Sequence, residues 1–145
     1  MSQSYPYGVG LSNVGSYQVS GIPYVTSSIA APASSGAPTE VSFPDTTQRV
    51  FVSNVNTASP LRVGFSSNGV KGTNYFIIPA ASSSTVGFST QEFRVKVSSI
   101  YLLSHTATPT SASVFAELTN ISTSHLQNSG PNGVGNNWSG SVGVG

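Results

Sequence analysis

The stretch LRVGFSSNGVKGTNYF, residues 61–76, decides how this chain is read. Gly64, four residues, Gly69 and then Val70-Lys71-Gly72-Thr73 come close to the phosphate-cradling loop G-x-x-x-x-G-K-[ST]. That loop needs its Lys directly after the second Gly, so that the ammonium reaches the β- and γ-phosphates, and then a Ser or Thr to hold Mg²⁺. Here Val70 displaces Lys71 by one position, and Gly72 displaces Thr73. The loop must also open a helix, whose N-terminus supplies the donors, whereas NYFIIP, residues 74–79, has the pattern of a strand. Nucleotide chemistry is therefore set aside. Leu61, Val63 and Phe65 alternate with Arg62, Gly64 and Ser66, which predicts a half-buried strand. Asn68-Gly69 predicts a β-turn using positive φ, with Lys71 a solvated loop charge. Tyr75–Ile78 predicts the return strand, with Tyr75 and Phe76 on opposite faces, stopped by Pro79.

The same texture extends on both sides. QRVFVSNV (48–55) is rich in β-branched and aromatic residues, and EVSF (40–43) alternates before a turn at Pro44-Asp45-Thr46. IPYVTSSI (22–29) predicts a first short strand, and AAPASSGAP (30–38) a linker. Downstream, Val86 and Phe88 hint at a short strand. Phe93, Val95 and Val97 alternate with Arg94 and Lys96, predicting another. Ser99–Leu103 follows as a fresh strand after a bend. Val114, Ala116 and Leu118 alternate beyond a turn over Thr106–Ser111. No window carries helical periodicity, so no helix is predicted. About eight short strands at spacings near ten residues predict an all-β sandwich or barrel. The expected organisation is an N-terminal arm (1–21), a β-domain (22–122) and a low-complexity C-terminal tail (123–145).

Composition narrows the function. Charged residues make up 6% of the 145 and the formal net charge is +1, against about 25% charged in ordinary soluble domains. Sequence-specific nucleic-acid binding and electrostatic membrane docking both need clustered Lys and Arg, which are missing. No apolar run approaches the length of a transmembrane helix, and the opening residues lack the pattern of a secretory leader. A surface wetted by Ser, Thr, Asn and Gly repels neighbours weakly and suits packing into an assembly. With no cysteine, disulfides and thiolate sites are excluded.

Catalytic and metal-binding residues are sparse, and none is assigned: catalytic, cofactor-binding and metal sites are all expected to be absent. Four acidic residues are present, Glu40, Asp45, Glu92 and Glu117. Asp45 belongs to a turn, and the glutamates to polar strand faces or edges. His105, Asp45 and one of many serines make a triad only on paper. His105 and His125 are 20 residues apart, without ligand spacing. Arg49 and Arg62 are expected to be solvated strand-face charges or interface charges. Trp138, in the tail, is either an anchor for a partner or unconstrained.

The phrases EVSFPDTTQRVFVSNV, LRVGFSSNGVKGTNYFIIP, FRVKVSSIYLLS and SVFAELTNI resemble the penton (vertex) capsid proteins of large icosahedral double-stranded DNA viruses. The resemblance spans Glu40 to Ile121, with its strongest part at residues 61–76; the arms carry none of it. It implies a single jelly roll and a homopentamer capping each five-fold vertex of a virion. It also implies contacts with major and minor capsid proteins, and no cofactor or catalysis. A non-catalytic ligand- or carbohydrate-binding sandwich, such as a virion decoration protein, is the alternative. It would need an aromatic platform, and Tyr5, Tyr7, Tyr17, Tyr24 and Trp138 lie outside the central strands.

Overall fold

The structure is a computed structural model, and it describes residues 21–82, 88–123 and 137–145. These form eight strands, β1 (Ile22–Ala31), β2 (Thr39–Ser42), β3 (Thr47–Asn54), β4 (Leu61–Gly64), β5 (Phe76–Ile78), β6 (Ser89–Phe93), β7 (Ser99–Ser104) and β8 (Thr110–Leu118). One short helix, α1 (Ser67–Lys71), joins β4 to β5. The strands make two four-stranded antiparallel sheets. The first has the order β1-β8-β3-β6 and the second β2-β7-β4-β5. The chain is thus an all-β sandwich.

The pairing is nested: β4 pairs with β5, β3 with β6, β2 with β7 and β1 with β8. Two further ladders, β3 with β8 and β4 with β7, roll this long hairpin into two layers. Alternation explains which side of each strand meets the other layer. Val50 and Val52 of β3, Val114, Ala116 and Leu118 of β8, Leu61 and Val63 of β4, and Ile100 and Leu102 of β7 share one buried cluster. Each such side chain contributes about 1.5–3 kcal/mol on leaving water. At one end of the core, Tyr24 packs edge-on against Phe43, centroids 5.2 Å apart.

Buried polar groups at the sandwich ends are matched. Asn54, fully buried at the end of β3, donates through Nδ2 to the carbonyls of Ser59 (2.9 Å) and Pro79 (3.2 Å). Its Oδ1 accepts from the Asn56 amide and the Thr110 hydroxyl. One side chain therefore ties the ends of β3, β5 and β8 together.

Several expectations are corrected. The SNGVKG segment is not a β-turn with positive φ: it forms α1, and Gly69 is absent from the glycines with positive φ. The physical reason is the Ser66 cap, whose Oγ accepts from the Gly69 amide at 2.9 Å. The helical turn folds Val70 back onto β4, where it is fully buried against Gly64. A Cβ at Gly64 would lie 2.8 Å from the Val70 Cβ, so the missing side chain is what admits the helix. The strand expected over residues 93–97 lies earlier, at Ser89–Phe93. Beyond it the Thr47 hydroxyl donates to the Val95 carbonyl (2.7 Å) and accepts from the Val97 amide (3.2 Å). A side chain takes over from a regular ladder there, while the chain crosses to the second sheet. Tyr75 precedes β5 rather than starting it, and β1 runs on to Ala31 past an irregularity between Thr26 and Ile29. The expected hint of strand at Val86 lies outside the described residues.

Candidate assembly surfaces

The outer faces of the two sheets differ. On the first sheet, register lines up Val25, Phe115, Phe51 and Glu92 across all four strands. Val25 is 70% exposed and Phe115 38%. Phe51 and Phe115 are a tilted pair with centroids 5.8 Å apart. The adjacent row holds Pro23, Glu117 and Arg49. Arg49 grips Glu117 bidentately, Nε to Oε2 at 2.6 Å and Nη2 to Oε1 at 2.7 Å. It also reaches Glu92, which Arg94 contacts in turn. The hydrogen bond from Arg49 holds the Glu117 carboxyl below the usual carboxylate range. This face is an apolar row bordered by charges that neutralise one another.

A second apolar patch lies where β5 and β6, the edge strands of the two sheets, meet on one flank. Phe93 takes Phe65 and Phe76 edge-on, at 6.0 and 5.7 Å. Phe76, Ile77 and Phe88 are all exposed.

The outer face of the second sheet is covered instead over β4 and β7. Leu103 points away from Ile100 and Leu102, yet is fully buried. Opposite it in register stands Arg62, with its guanidinium 4.4 Å from the Tyr75 ring centroid. Arg62 donates to His105 Nδ1 (3.2 Å) and to the Val70 carbonyl (3.3 Å). Arg62 is therefore part of this covering layer rather than a simply solvated charge. Arg49 is likewise ion-paired rather than simply solvated.

Residues 137–145 complete the cover. Asn137 is 2% exposed, and its carboxamide is fully used. Oδ1 accepts from the Ser98 amide (2.7 Å) and hydroxyl (3.1 Å). Nδ2 donates to the carbonyls of Ser99 (2.6 Å) and Phe65 (3.2 Å). Asn137 and Trp138 both hold left-handed φ, 56° and 59°, a conformation costing about 1–3 kcal/mol per non-glycine residue. Further on, the Ser66 hydroxyl donates to the Val144 carbonyl at 2.8 Å. A Cβ on Gly69 would overlap that same carbonyl. The end of the expected tail is thus seated on the body, and the glycines of the 61–76 stretch serve close approach.

Two clefts flank this segment. Trp138 and Val144 border an apolar one of about 250 Å³ with Phe65, Val95, Lys96 and Val97. A polar one of about 400 Å³ lies among Glu40, Tyr101, Ser66, Ser67, Asn68 and Ser139. Burial, then the charge of Glu40, raises the Tyr101 hydroxyl above its ordinary range.

The paper triad is not assembled. Asp45 lies just beyond the Ser42–Ser99 pair at the start of β7, and His105 follows the end of that strand, roughly 20 Å away by strand rise. Among the described residues no three His, Cys, Asp or Glu cluster as a metal site would require. Among them no helix is long and apolar enough to cross a membrane. Tyr24 packs on Phe43 rather than joining a surface platform. Tyr5, Tyr7, Tyr17 and His125 lie outside the described residues. Compared with protein-family models, curated proteins and solved structures, the chain matches none.

Proposed function

We propose that this chain is a structural capsid protein forming the pentameric vertex of an icosahedral virion. The observation that carries the proposal is the strand order. Nested pairing rolled into β1-β8-β3-β6 over β2-β7-β4-β5 fits a single jelly roll, an architecture that recurs in viral capsid and lectin domains. Two apolar patches support assembly. A closed ring uses a heterologous interface, in which two different surfaces of one subunit meet. The Val25–Phe115–Phe51 row lies on the outer face of the first sheet, and the Phe76–Ile77–Phe88 residues lie at the flank where β5 and β6 meet, so the two are different surfaces. Neighbouring major and minor capsid proteins are the remaining partners of this reading, and the role is non-catalytic.

Light scattering coupled to size exclusion at micromolar concentration tests it. A homopentamer is expected. Val25→Ser with Phe115→Ser should abolish it and leave the circular-dichroism spectrum unchanged. A strict monomer, alone and with its capsid partners, overturns the proposal. The polar Glu40–Tyr101–Asn68 cleft favours a second reading as a lectin-like module. Glycan binding lost in Tyr101→Ala would promote it.

A further inference from the structure

The cover on the second sheet leaves the polar cleft open on the β2 side. Register places Glu40 of β2, Tyr101 of β7 and Gly64 of β4 in one row. These positions alternate with the buried Val41, Ile100, Leu102 and Val63, so the row faces outward. Gly64 is bare, and α1 folds over it. Glu40 and Tyr101 are left as the floor of a cleft walled by Ser66–Asn68 and by Ser139.

Both walls are fixed by bonds within the chain. Ser66 Oγ caps α1 and donates to the Val144 carbonyl, which ties one wall to the segment carrying the other. Asn137, two residues before Ser139, is locked in its slot by Ser98, Ser99 and Phe65. The volume of about 400 Å³ falls within the roughly 300–1,000 Å³ of small-molecule sites. The lining is hydroxyl, carboxamide, phenol and one carboxylate, with the Phe65 ring as its apolar part. The Ser67 and Asn68 side chains are exposed and make no hydrogen bond among the described residues.

Charge selects the ligand. Among the described residues lining the cleft, Glu40 is the one carboxylate, and no Lys, Arg or His stands beside it. A carboxylate without a cation disfavours a second negative charge and accepts strongly from hydroxyl donors. Tyr101, kept protonated by burial and by Glu40, offers a hydroxyl and a ring. We infer that the cleft binds the end of an uncharged glycan. Glu40 accepts from two neighbouring sugar hydroxyls, Ser67 and Asn68 meet others, and the Tyr101 ring lies against the sugar's C–H face. The inference rests on the lectin-like reading above, adds the ligand's charge to it, and does not need the ring.

The test applies the full chain to an array of glycans ending in galactose, glucose, mannose or N-acetylglucosamine, alongside sialylated and sulfated ones. Binding to uncharged ends is expected, and none to acidic ones. Titration of a bound glycan should give Glu40→Gln a loss of about tenfold or more. Glu40 is exposed, so the change leaves the core intact, and circular dichroism checks the fold. Binding of acidic glycans, or uncharged hits that Glu40→Gln leaves unchanged, overturns the inference. In either case, loss of binding in Tyr101→Ala keeps the lectin-like reading. An array without hits removes both.

Discussion

The two outer faces of the sandwich are built from the same kind of strand and finished in opposite ways. The second sheet carries α1, Tyr75, Arg62 and residues 137–145 across it, and Leu103 beneath is fully buried. The first sheet shows Val25 and Phe115 to solvent beside a self-neutralised ion network. One face is finished by its own chain, and the other is left for something else. In a protein so poor in charge, that difference separates residues that hold the fold from residues that the proposed assembly would use.

The difference is sharpest at matched apolar positions. Leu103→Ala should cost about 2–5 kcal/mol in urea unfolding, whereas Phe115→Ala should cost about 1 kcal/mol, mostly its aromatic pairing. Equal losses would erase the distinction between the faces. Next comes the pin of the covered face. Asn137→Ala strands the Ser98 amide and two carbonyls, an expected loss of about 1–3 kcal/mol. Emission from Trp138, the sole tryptophan, should shift to the red; an unmoved spectrum would mean that the carboxamide pins nothing.

Third, Gly64→Ala should cost about 1–3 kcal/mol by forcing Val70 off β4. Combined with Val70→Ala, the loss should be clearly less than the sum, because the smaller residue makes room. Strict additivity would show that the two do not touch. The smallest effect belongs to the bare face. Glu117 has a lowered folded-state pKa, so its contribution is present above the unfolded carboxylate value of about 4.3 and fades as pH falls through the folded one. Wild type should exceed Glu117→Gln in stability at pH 7, modestly because solvent screens the pair. The gap should narrow as pH falls below the unfolded carboxylate range, and an advantage that does not change with pH would contradict the assignment.

Much of the sandwich was legible because strands with one face toward a core must alternate. Leu61/Val63, Val50/Val52 and Val114/Ala116/Leu118 declare their buried side locally. Sheet order was not legible, since it depends on partners such as Ile22 and Leu118, nearly the whole domain apart. Helix α1 hid behind Asn68-Gly69, ordinary turn residues; Ser66, three positions before Gly69, was the available capping signal. The surface was hardest to foresee. Nothing local announces that Arg62 lies against Tyr75, or that an Asn in a Gly-rich tail fills a buried slot.

The position of β8 has a consequence for biosynthesis. It is the last strand of the sandwich to leave the ribosome, yet it stands at the centre of the first sheet, between β1 and β3. Until residue 118 has emerged, β1 has no neighbour and β3 lacks one edge partner. Folding of that sheet thus waits until its last strand is available, and its long-range pairings place it in the slower, millisecond-to-second range of small domains. During that interval the nascent chain exposes unpaired strands at the high local concentration of a polysome. Its prolines and glycines, residue types that weaken strand pairing, oppose such contacts.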